Sequence, residues 1–251
     1  MASEKRMIGD RKILAVVTAR ANSQGLPGKN YMPLLGRPLV QWSMLAALKS
    51  NYIDDIIVSS NCEHVREATE AFINEFYTSK VRFVQRPESL ATSLSKNEEA
   101  LIHAVEKYEE RQNNSPFYVV NLQPTSPIRH HDLIDRCIKM AFSKNVNSLL
   151  TVQACTPFFV QKTEKGLIWH YDPDKRPMRQ SLSASQIYYH DDGCLYLMTV
   201  DHLYNSLNRI DINSVELFEN YPYCSLQIDT VEDFNVVAKI KKELDETGHY
   251  I

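Results

Sequence analysis

Several features that mark particular classes of protein are missing from this sequence. The 251-residue chain has no apolar run approaching the roughly 20 residues that a bilayer-spanning helix needs. Residues 1–10 are polar and lack the apolar stretch of a secretory signal peptide. The five cysteines are odd in number, widely spaced and contain no C-x-x-C pair, which argues against a disulfide framework or a structural zinc site. These absences predict a cytoplasmic protein with reduced thiols and no membrane partner.

An excess of charge of one sign is also missing. The chain has 28 lysines and arginines against 31 aspartates and glutamates, and its net charge is −3. A protein that binds nucleic acid usually carries a strongly basic face or a basic domain. Nucleic acid is therefore not expected as a partner, and an acidic ligand would need a local pocket of cations.

Glycine is scarce, and its distribution is uneven. Only seven glycines occur in the chain, and two of them, Gly25 and Gly28, lie in one loop at residues 18–30, together with Arg20 and Lys29. The loop follows an apolar run that is typical of a buried parallel strand. Because glycine lacks a Cβ, it lets the backbone approach a ligand closely, and backbone N–H groups beside two cations suit a polyphosphate. The loop predicts a phosphate site; the alternative is an ordinary strand-to-helix loop with solvated charges.

Strand-like and helix-like segments alternate along the chain with a period of roughly 25 residues, which is typical of a parallel sheet covered by helices. The strand-like runs are residues 13–17, 56–60, 81–84, 117–122, 148–152, 194–198 and 225–228. Apolar stripes at helical spacing begin at Leu39, Val65, Leu101, Ile134 and Phe234. We predict an α/β protein with a Rossmann-like, mostly parallel sheet, built as one domain over residues 11–251 behind an N-terminal tail at residues 1–10.

The alternation lapses between residues 153 and 192. This segment contains Phe158, Phe159, Trp169 and Tyr171, so it is too apolar for a flexible linker. We interpret it as an insertion that packs against another surface, and we expect it to pair two subunits or to cover the substrate.

Polar residues follow most of the predicted strands. In open parallel sheets, ligands bind outside the carboxyl ends of the strands. That rule selects residues 20–30, residues 59–61, Arg86, residues 123–127 and Asp229. Together they predict a polar site along one edge of the sheet.

The glycine-containing loop has neither the Walker A spacing, G-x-x-x-x-G-K-[ST], nor the dinucleotide-binding G-x-G-x-x-G. It closely resembles the opening motif of the CMP-sialic acid synthetases, the cytidylyltransferases that activate nine-carbon acidic sugars. That motif is A-R-x-x-S-K-G-[LI]-P-x-K-N, and the chain departs from it at one charged position, where Gln24 replaces lysine.

Other segments extend this resemblance over almost the whole chain. Residues 122–129, LQPTSPIR, match the family's L-Q-P-T-S-P-[LI]-R, and residues 179–182, RQSL, match R-Q-x-L. Residues 226–233 match the closing motif I-D-[IV]-D-T-x-x-D, except that Leu226 stands in place of isoleucine and Gln227 replaces the first aspartate. Residues 86–90 match R-P-x-E-L only in part.

The resemblance implies a nucleotidyltransferase-type fold with a small dimerisation insertion. It also implies a Mg²⁺-dependent reaction in which CTP and a 2-keto nine-carbon sugar acid give the CMP-sugar and pyrophosphate, in a homodimer. The implied catalytic residues are Arg20, Lys29 and Asp229, with Asp229 as the metal ligand. The implied nucleotide-binding residues are Arg20, Asn22, Ser23, Gln24, Gly25, Lys29, Asn30 and Arg86. The implied sugar-binding residues are Gln123 and Arg179.

Other interpretations of the same residues remain open. The enzyme could activate another acidic sugar, such as an eight-carbon keto acid. The departures at Gln24, Ser93 and Gln227 also fit a nucleotide-binding homologue with impaired catalysis, unless Arg82 or Lys96 compensates for the lost cation.

Single residues have alternatives as well. Asp229 could be a carboxylate favoured by the positive end of the last helix, and Arg179 could be a solvated surface arginine. The adjacent His130 and His131 are expected to point in different directions, as surface residues without the spaced partners of a zinc site.

Overall fold

The structure is a computed structural model of the chain and describes residues 9–21 and 25–251. Its strands are β1 (Ile13–Thr18), β2 (Pro33–Leu34), β3 (Arg37–Pro38), β4 (Asp55–Ser60), β5 (Val81–Gln85), β6 (Tyr118–Leu122), β7 (Ser148–Cys155), β8 (Val160–Thr163), β9 (Gly166–Trp169), β10 (Tyr188–Thr199) and β11 (Val215–Glu219). Its α-helices are α1 (Leu39–Lys49), α2 (Glu63–Phe76), α3 (Asn97–Gln112), α4 (Leu133–Lys144), α5 (Val200–Ser206) and α6 (Val231–Asp245).

Seven strands form the central sheet in the order β11-β7-β10-β6-β1-β4-β5. β1 pairs in parallel with both β4 and β6, and β4 pairs in parallel with β5. β10 is antiparallel to both of its neighbours, β6 and β7. The predicted α/β, mostly parallel sheet is therefore confirmed. The strand order reverses between β1 and β6, and a ligand crevice is expected where the loops after two such strands diverge.

Helices cover both faces of this sheet because β1 and β6 are apolar on both sides. Alternate residues of β1 enter different cores: Ala15 and Val17 pack with α1 and α2, whereas Leu14 and Val16 pack with α3. A third apolar cluster joins α6 to the loops at the sheet edge through Val237. That cluster holds the start of α6 close to the ends of β1 and β6.

The strand predicted at residues 225–228 is wrong. The segment is a turn followed by extended chain that joins no sheet, although Ile228 N–H donates to the carbonyl of Thr125 (2.8 Å). Its apolar residues, Leu226 and Ile228, pack against α6 instead. The sheet takes its edge strand from β11, which runs parallel to β7.

Residues 153–192, called the arm from here on, extend the ribbon formed by β7 and β10. Tyr188 pairs with Cys155 in that ribbon, and β8 and β9 form a separate two-stranded hairpin. The arm exposes several large apolar side chains, namely Phe159, Val160, Leu167, Ile168, Trp169, Tyr188 and Tyr189. No helix within residues 9–21 and 25–251 is long and apolar enough to cross a membrane.

Candidate active site

A cavity of about 450 Å³ opens where the loops after β1 and β6 diverge. Seven of the site residues that the family resemblance implies line this cavity: Arg20, Gly25, Lys29, Asn30, Arg86, Gln123 and Asp229. Asn22, Ser23 and Gln24 lie outside the described residues. Arg179 is exposed on the arm and does not contribute to the cavity lining.

The charge of this lining is strongly one-sided. Among the described residues it contains five cationic side chains, those of Arg20, Lys29, Arg86, Lys96 and Arg209, and a single carboxylate, that of Asp229. The whole chain has a net charge of −3, so the cations are concentrated locally. Such a concave, cationic surface favours a ligand with several negative charges.

Lys29 and Asp229 form an ion pair inside the cavity. The Lys29 Nζ lies 2.8 Å from the Asp229 Oδ1 and also donates to the carbonyl of Ile228 at 2.8 Å. The Lys29 side chain is 10% exposed, whereas that of Asp229 is 66% exposed. The lysine is therefore held in place by the loop that carries the carboxylate, and the carboxylate itself remains open to solvent and ligands.

Gly25 allows the loop after β1 to pack directly on the loop that precedes α6. A Cβ at this position would overlap the carbonyl oxygen of Asp229. A second contact closes the β1 loop, since Asn30 Nδ2 donates to the carbonyl of Arg20 at 2.9 Å. Gly28 begins the short 3₁₀ turn Lys29–Tyr31 with a φ of 75°, a left-handed conformation that glycine adopts without strain.

Arg86 is a buried cation with no carboxylate within ion-pairing distance among the described residues. Its Nε donates to Ser59 Oγ (3.1 Å) and its Nη2 donates to the carbonyl of Ser59 (2.7 Å). Burial lowers the pKa of Arg86 to about 10, and the positive charge of nearby Arg20 adds to this effect. An anion bound in the cavity would offset that desolvation cost, which makes Arg86 a functional-site candidate on physical grounds.

The segment after β6 is held by an internal arginine. Arg129 is 1% exposed, and its guanidinium donates to the carbonyl of Gln123 (2.8 Å), to Ser43 Oγ (3.0 Å) and to the carbonyl of Cys194 (3.2 Å). These bonds fix the turn that brings Gln123 to the cavity. The last residue of the LQPTSPIR motif therefore has a structural role.

Two cations of the lining are not among the site residues that the resemblance implies: Lys96, named from the sequence only as a possible compensating cation, and Arg209, which the sequence did not indicate. Lys96 stands at the N-terminus of α3, whose first residue, Asn97, also faces the cavity. Arg209 forms an ion pair with Glu98 at 2.7 Å, and its guanidinium lies 4.6 Å from the ring centroid of Tyr196. Lys96 precedes a helix, and helix N-termini often bind phosphate groups, so its position was a signal in the sequence. The loop that carries Arg209 has no comparable sequence pattern.

Arg82, the other proposed compensating cation, does not line the cavity. Its Nη2 lies 2.8 Å from Asp55 Oδ1. Of the two candidates for replacing a missing lysine charge at position 24, only Lys96 therefore faces the site.

Gln227 lines the cavity but is engaged in a structural contact. Its Nε2 donates to the carbonyl of Asp192, and a Cβ on Gly193 would overlap the same amide nitrogen. Asp192 is buried and accepts from Thr151 Oγ1 (2.6 Å), from the N–H of Cys194 (2.9 Å) and from Asn220 Nδ2 (2.7 Å). An ionised aspartate at position 227 could not donate this hydrogen bond, so Gln227 stabilises the turn at Asp192 and Gly193.

The donor set fits a magnesium ion that is bound together with a nucleotide. Mg²⁺ usually takes one or two carboxylates and completes its octahedron with phosphate oxygens and waters. Asp229 supplies one solvent-accessible carboxylate beside a cationic cavity of polyphosphate size. Asp229 is thus the residue that could hold the metal.

A family model described as cytidylyltransferase matches residues 14–247 of the chain. The chain belongs to the cytidylyltransferase family. A CMP-N,N'-diacetyllegionaminic acid synthase of Legionella pneumophila is 34% identical over 233 residues, which is 91% of this chain and 96% of that protein. An N-acylneuraminate cytidylyltransferase of Escherichia coli is 25% identical over 236 residues, which is 92% of this chain and 52% of that protein. The chain therefore spans about half the length of the E. coli relative.

Two solved structures of other proteins share the fold of this chain. A CMP:2-keto-3-deoxy-manno-octonic acid synthetase complexed with CTP superposes with a TM-score of 0.64 at 16% identity, covering 92% of this chain and 99% of that chain. A 4-diphosphocytidyl-2C-methyl-D-erythritol synthase of Anaerococcus prevotii gives a TM-score of 0.67 at 13% identity, covering 94% and 99%. These likenesses confirm the nucleotidyltransferase-type fold. The family match and the curated relatives confirm the family resemblance carried by the motifs.

Proposed function

We propose that this chain is a Mg²⁺-dependent cytidylyltransferase that joins CMP from CTP to a 2-keto nine-carbon acidic sugar and releases pyrophosphate. The observation that carries the proposal is the cavity with five cations and one open carboxylate at the strand-order reversal of a cytidylyltransferase-family fold. Relatives named for sialic and legionaminic acids support the sugar class, as does a pseudaminic acid cytidylyltransferase of Campylobacter jejuni, 26% identical over 193 residues.

In this reaction, the anomeric hydroxyl oxygen of the sugar attacks the α-phosphorus of CTP, and the hydroxyl proton is released to solvent water. The new P–O bond forms as the bond to the bridging oxygen breaks, and pyrophosphate leaves with that electron pair. Arg20, Lys29 and Arg86 would hold the triphosphate and balance the charge that moves onto the leaving group. Mg²⁺, held by Asp229, would add Lewis-acid stabilisation of the phosphates. Gln123 would contact the sugar from the turn after β6.

The proposal is tested by measuring pyrophosphate release over a matrix of nucleotides and sugar acids. The nucleotides are CTP, UTP, ATP and GTP; the acceptors are sialic, legionaminic, pseudaminic and eight-carbon 2-keto acids. We expect release with CTP and one of the nine-carbon acids, with the CMP-sugar identified by mass spectrometry. Equal, weak responses to all four nucleotides would contradict the assignment of CTP as the substrate. Activity with the eight-carbon acid alone would show that the acceptor is an eight-carbon and not a nine-carbon sugar acid.

A binding protein with lost catalysis is the second candidate, because Gln227 serves the turn at Gly193 and leaves Asp229 as the only carboxylate in the described lining. Calorimetric titration separates the two functions. CTP binding with Mg²⁺ but without turnover on any acceptor would favour the second candidate.

We further propose that the arm pairs two copies of the chain and brings Arg179 to the cavity of the other subunit. The β8–β9 hairpin is exposed along almost its whole length, and isolated two-stranded hairpins are marginally stable. Contiguous exposed apolar side chains indicate an interaction surface. Arg179 does not reach the cavity of its own chain, and its planar guanidinium matches a sugar carboxylate.

A cytoplasmic location is proposed because all five cysteines are free thiols, two of them only partly buried. Thiols in such positions persist in a reducing compartment.

A further inference from the structure

Three histidines that play no part in the proposed reaction come together on one side of the fold. His130 and His131 lie between β6 and α4, and His249 follows α6. One potential ligand atom from each residue lies within 4.8 Å of those of the other two. The prediction that His130 and His131 point apart is wrong, because both precede α4 instead of lying within a helix, and their ring centroids are 4.4 Å apart. The partner that the sequence spacing could not reveal is His249.

Backbone pairing brings the third histidine into place. Residues 249–251 run antiparallel to residues 129–131, with Ile251 N–H donating to the carbonyl of Arg129 (2.8 Å) and His131 N–H donating to the carbonyl of His249 (2.9 Å). Ile251 is buried, which anchors the end of the pairing. The position of the cluster is therefore set by main-chain hydrogen bonds and an apolar anchor.

Two of the imidazoles have the hydrogen-bond partners that metal-bound histidines usually have. His130 Nδ1 lies 2.6 Å from Asp132 Oδ1, and His131 Nδ1 lies 3.0 Å from the carbonyl oxygen of His249. A carbonyl oxygen can only accept, so His131 Nδ1 carries the proton and the lone pair is on Nε2. The carboxylate of Asp132 selects the same tautomer for His130. Metal-bound histidines almost always donate their other nitrogen to a carboxylate or a backbone carbonyl in this way.

Packing restricts the ring of His130 further. It stacks on Tyr221 with centroids 4.0 Å apart and an interplanar angle of 17°, and it meets Tyr250 edge-on at 5.4 Å. The hydroxyl of Tyr221 accepts from Arg136. His131 and His249 are exposed, so an ion could reach the cluster from solvent.

We propose that His130, His131 and His249 form a binding site for a divalent transition-metal ion, with Zn²⁺ as the best match. Imidazole nitrogen is a preferred ligand of zinc, and three histidines leave the fourth tetrahedral position for water. The site shares no residue with the lining of the candidate active site. Because His131 and His249 are 118 positions apart, the ion would cross-link distant segments and stabilise the folded chain.

The test is a zinc titration of the full-length, chelator-treated protein without nucleotide, read by competition with a chromophoric chelator. We expect one tight equivalent in the wild type. His131→Gln and His249→Gln should each weaken binding by about tenfold or more, since each removes a ligand. His170→Gln is the matched control, because His170 is an exposed histidine outside the cluster, and it should bind as the wild type does.

Three further measurements keep the proposal falsifiable if a variant is poorly folded. Circular dichroism without metal checks each variant, and the absorption spectrum of the wild type with Co²⁺ should show a four-coordinate, nitrogen-rich site. Zn²⁺ should also raise the Tm of the wild type and of His170→Gln more than that of His249→Gln. The absence of a tight equivalent in the wild type, or equal zinc affinity in all folded variants, would overturn the proposal.

Discussion

Asp229 offers the sharpest test of the active site at the scale of single residues. Its side chain is 66% exposed, so Asp229→Asn should leave the core intact and still accept a hydrogen bond from Lys29. Loss of the charge should lower pyrophosphate release by about 100-fold or more, because Mg²⁺ would lose its carboxylate. Turnover is measured across Mg²⁺ concentrations, with Glu232→Gln as a control for the loss of one exposed negative charge nearby. Wild-type turnover at every Mg²⁺ concentration would remove the metal role of Asp229.

Comparing Gly25→Ala with Gly36→Ala should separate an effect on CTP binding and turnover from an effect on the free energy of unfolding. The new Cβ would collide with the carbonyl of Asp229 and push the loop after β1 away from the loop that precedes α6, so CTP affinity and turnover should both fall. Gly36→Ala is the opposite case, because Gly36 has a φ of +81° and no neighbouring atom of residues 9–21 and 25–251 lies within 4 Å of the place that a methyl group would take. It should cost about 1 kcal/mol of unfolding free energy with little effect on turnover. Calorimetric CTP titration and urea unfolding of both variants make the comparison; a Gly25→Ala protein with normal CTP affinity would contradict the contact's importance.

Residues that line one cavity could be grouped from the sequence because parallel strands of one sheet end at one edge. Arg20, Arg86 and Gln123 follow three different strands and still line one cavity. The direction in which a polar side chain points could not be predicted from the positions of the strand ends. Arg129 turns into the core, and Gln227 turns towards the carbonyl of Asp192; both choices depend on acceptors that lie far away in the sequence.

At the scale of elements, the capping box of α6 links helix stability to pH. Asp233 Oδ2 accepts from the N–H groups of Thr230 (2.9 Å) and Asp229 (3.1 Å), and Thr230 Oγ1 accepts from the N–H of Asp233. The hydrogen bond with the Thr230 side chain and the two backbone N–H groups lower the pKa of Asp233. A lowered carboxyl pKa contributes stability that is present above the unfolded value, about 3.9, and is lost as pH falls through the folded value.

Asp233→Asn should therefore be less stable than the wild type at pH 7, and the difference should be smaller at about pH 3, because the charged form contributes less stability once the pH falls below the unfolded pKa of about 3.9. Urea unfolding at both pH values measures the effect. Glu232→Gln removes the same charge from the same turn and should show little difference at either pH. A deficit of Asp233→Asn that persisted unchanged in acid would rule out the charged hydrogen bonds as its cause.

Helices and strands could be predicted where the burial of a segment agrees with the periodicity of its apolar residues. β1 and β6 are apolar on both faces and were found from their runs alone. Residues 225–228 show a similar apolar run, but their side chains serve helix packing. β11 was missed because it is an edge strand in which apolar residues alternate with glutamates. Its pairing with β7 also depends on a contact between segments that are distant in sequence.

At the scale of the whole molecule, the arm should determine the oligomeric state. Leu167→Glu in the β8–β9 hairpin places a charge on a residue that is 57% exposed, so it should convert a dimer into monomers without unfolding the central sheet. Sedimentation velocity over a concentration series measures this. Ile212→Lys, at an 83% exposed position outside the arm, should leave the dimer unchanged. A monomeric wild type would refute the proposed pairing.

Mixing two inactive variants tests whether Arg179 acts in the neighbouring subunit. Arg179→Ala and Asp229→Asn should each be poorly active alone. Random exchange of subunits gives about half heterodimers, in which one of two sites has both wild-type residues, so activity should return to about one quarter of wild type. Action within one chain would give no recovery on mixing.

The Lys29–Asp229 ion pair has a thermodynamic consequence for the order of ligand entry. Bound Mg²⁺ would draw on the charge of Asp229, and a bound triphosphate on that of Lys29, so either ligand alone would weaken the ion pair between them. The second ligand then finds its residue less strongly paired. We expect metal and nucleotide to bind with positive cooperativity, each raising the affinity of the other by the same factor, as linkage requires. An unliganded cavity would then discriminate against free CTP and free metal alike and respond chiefly to their complex.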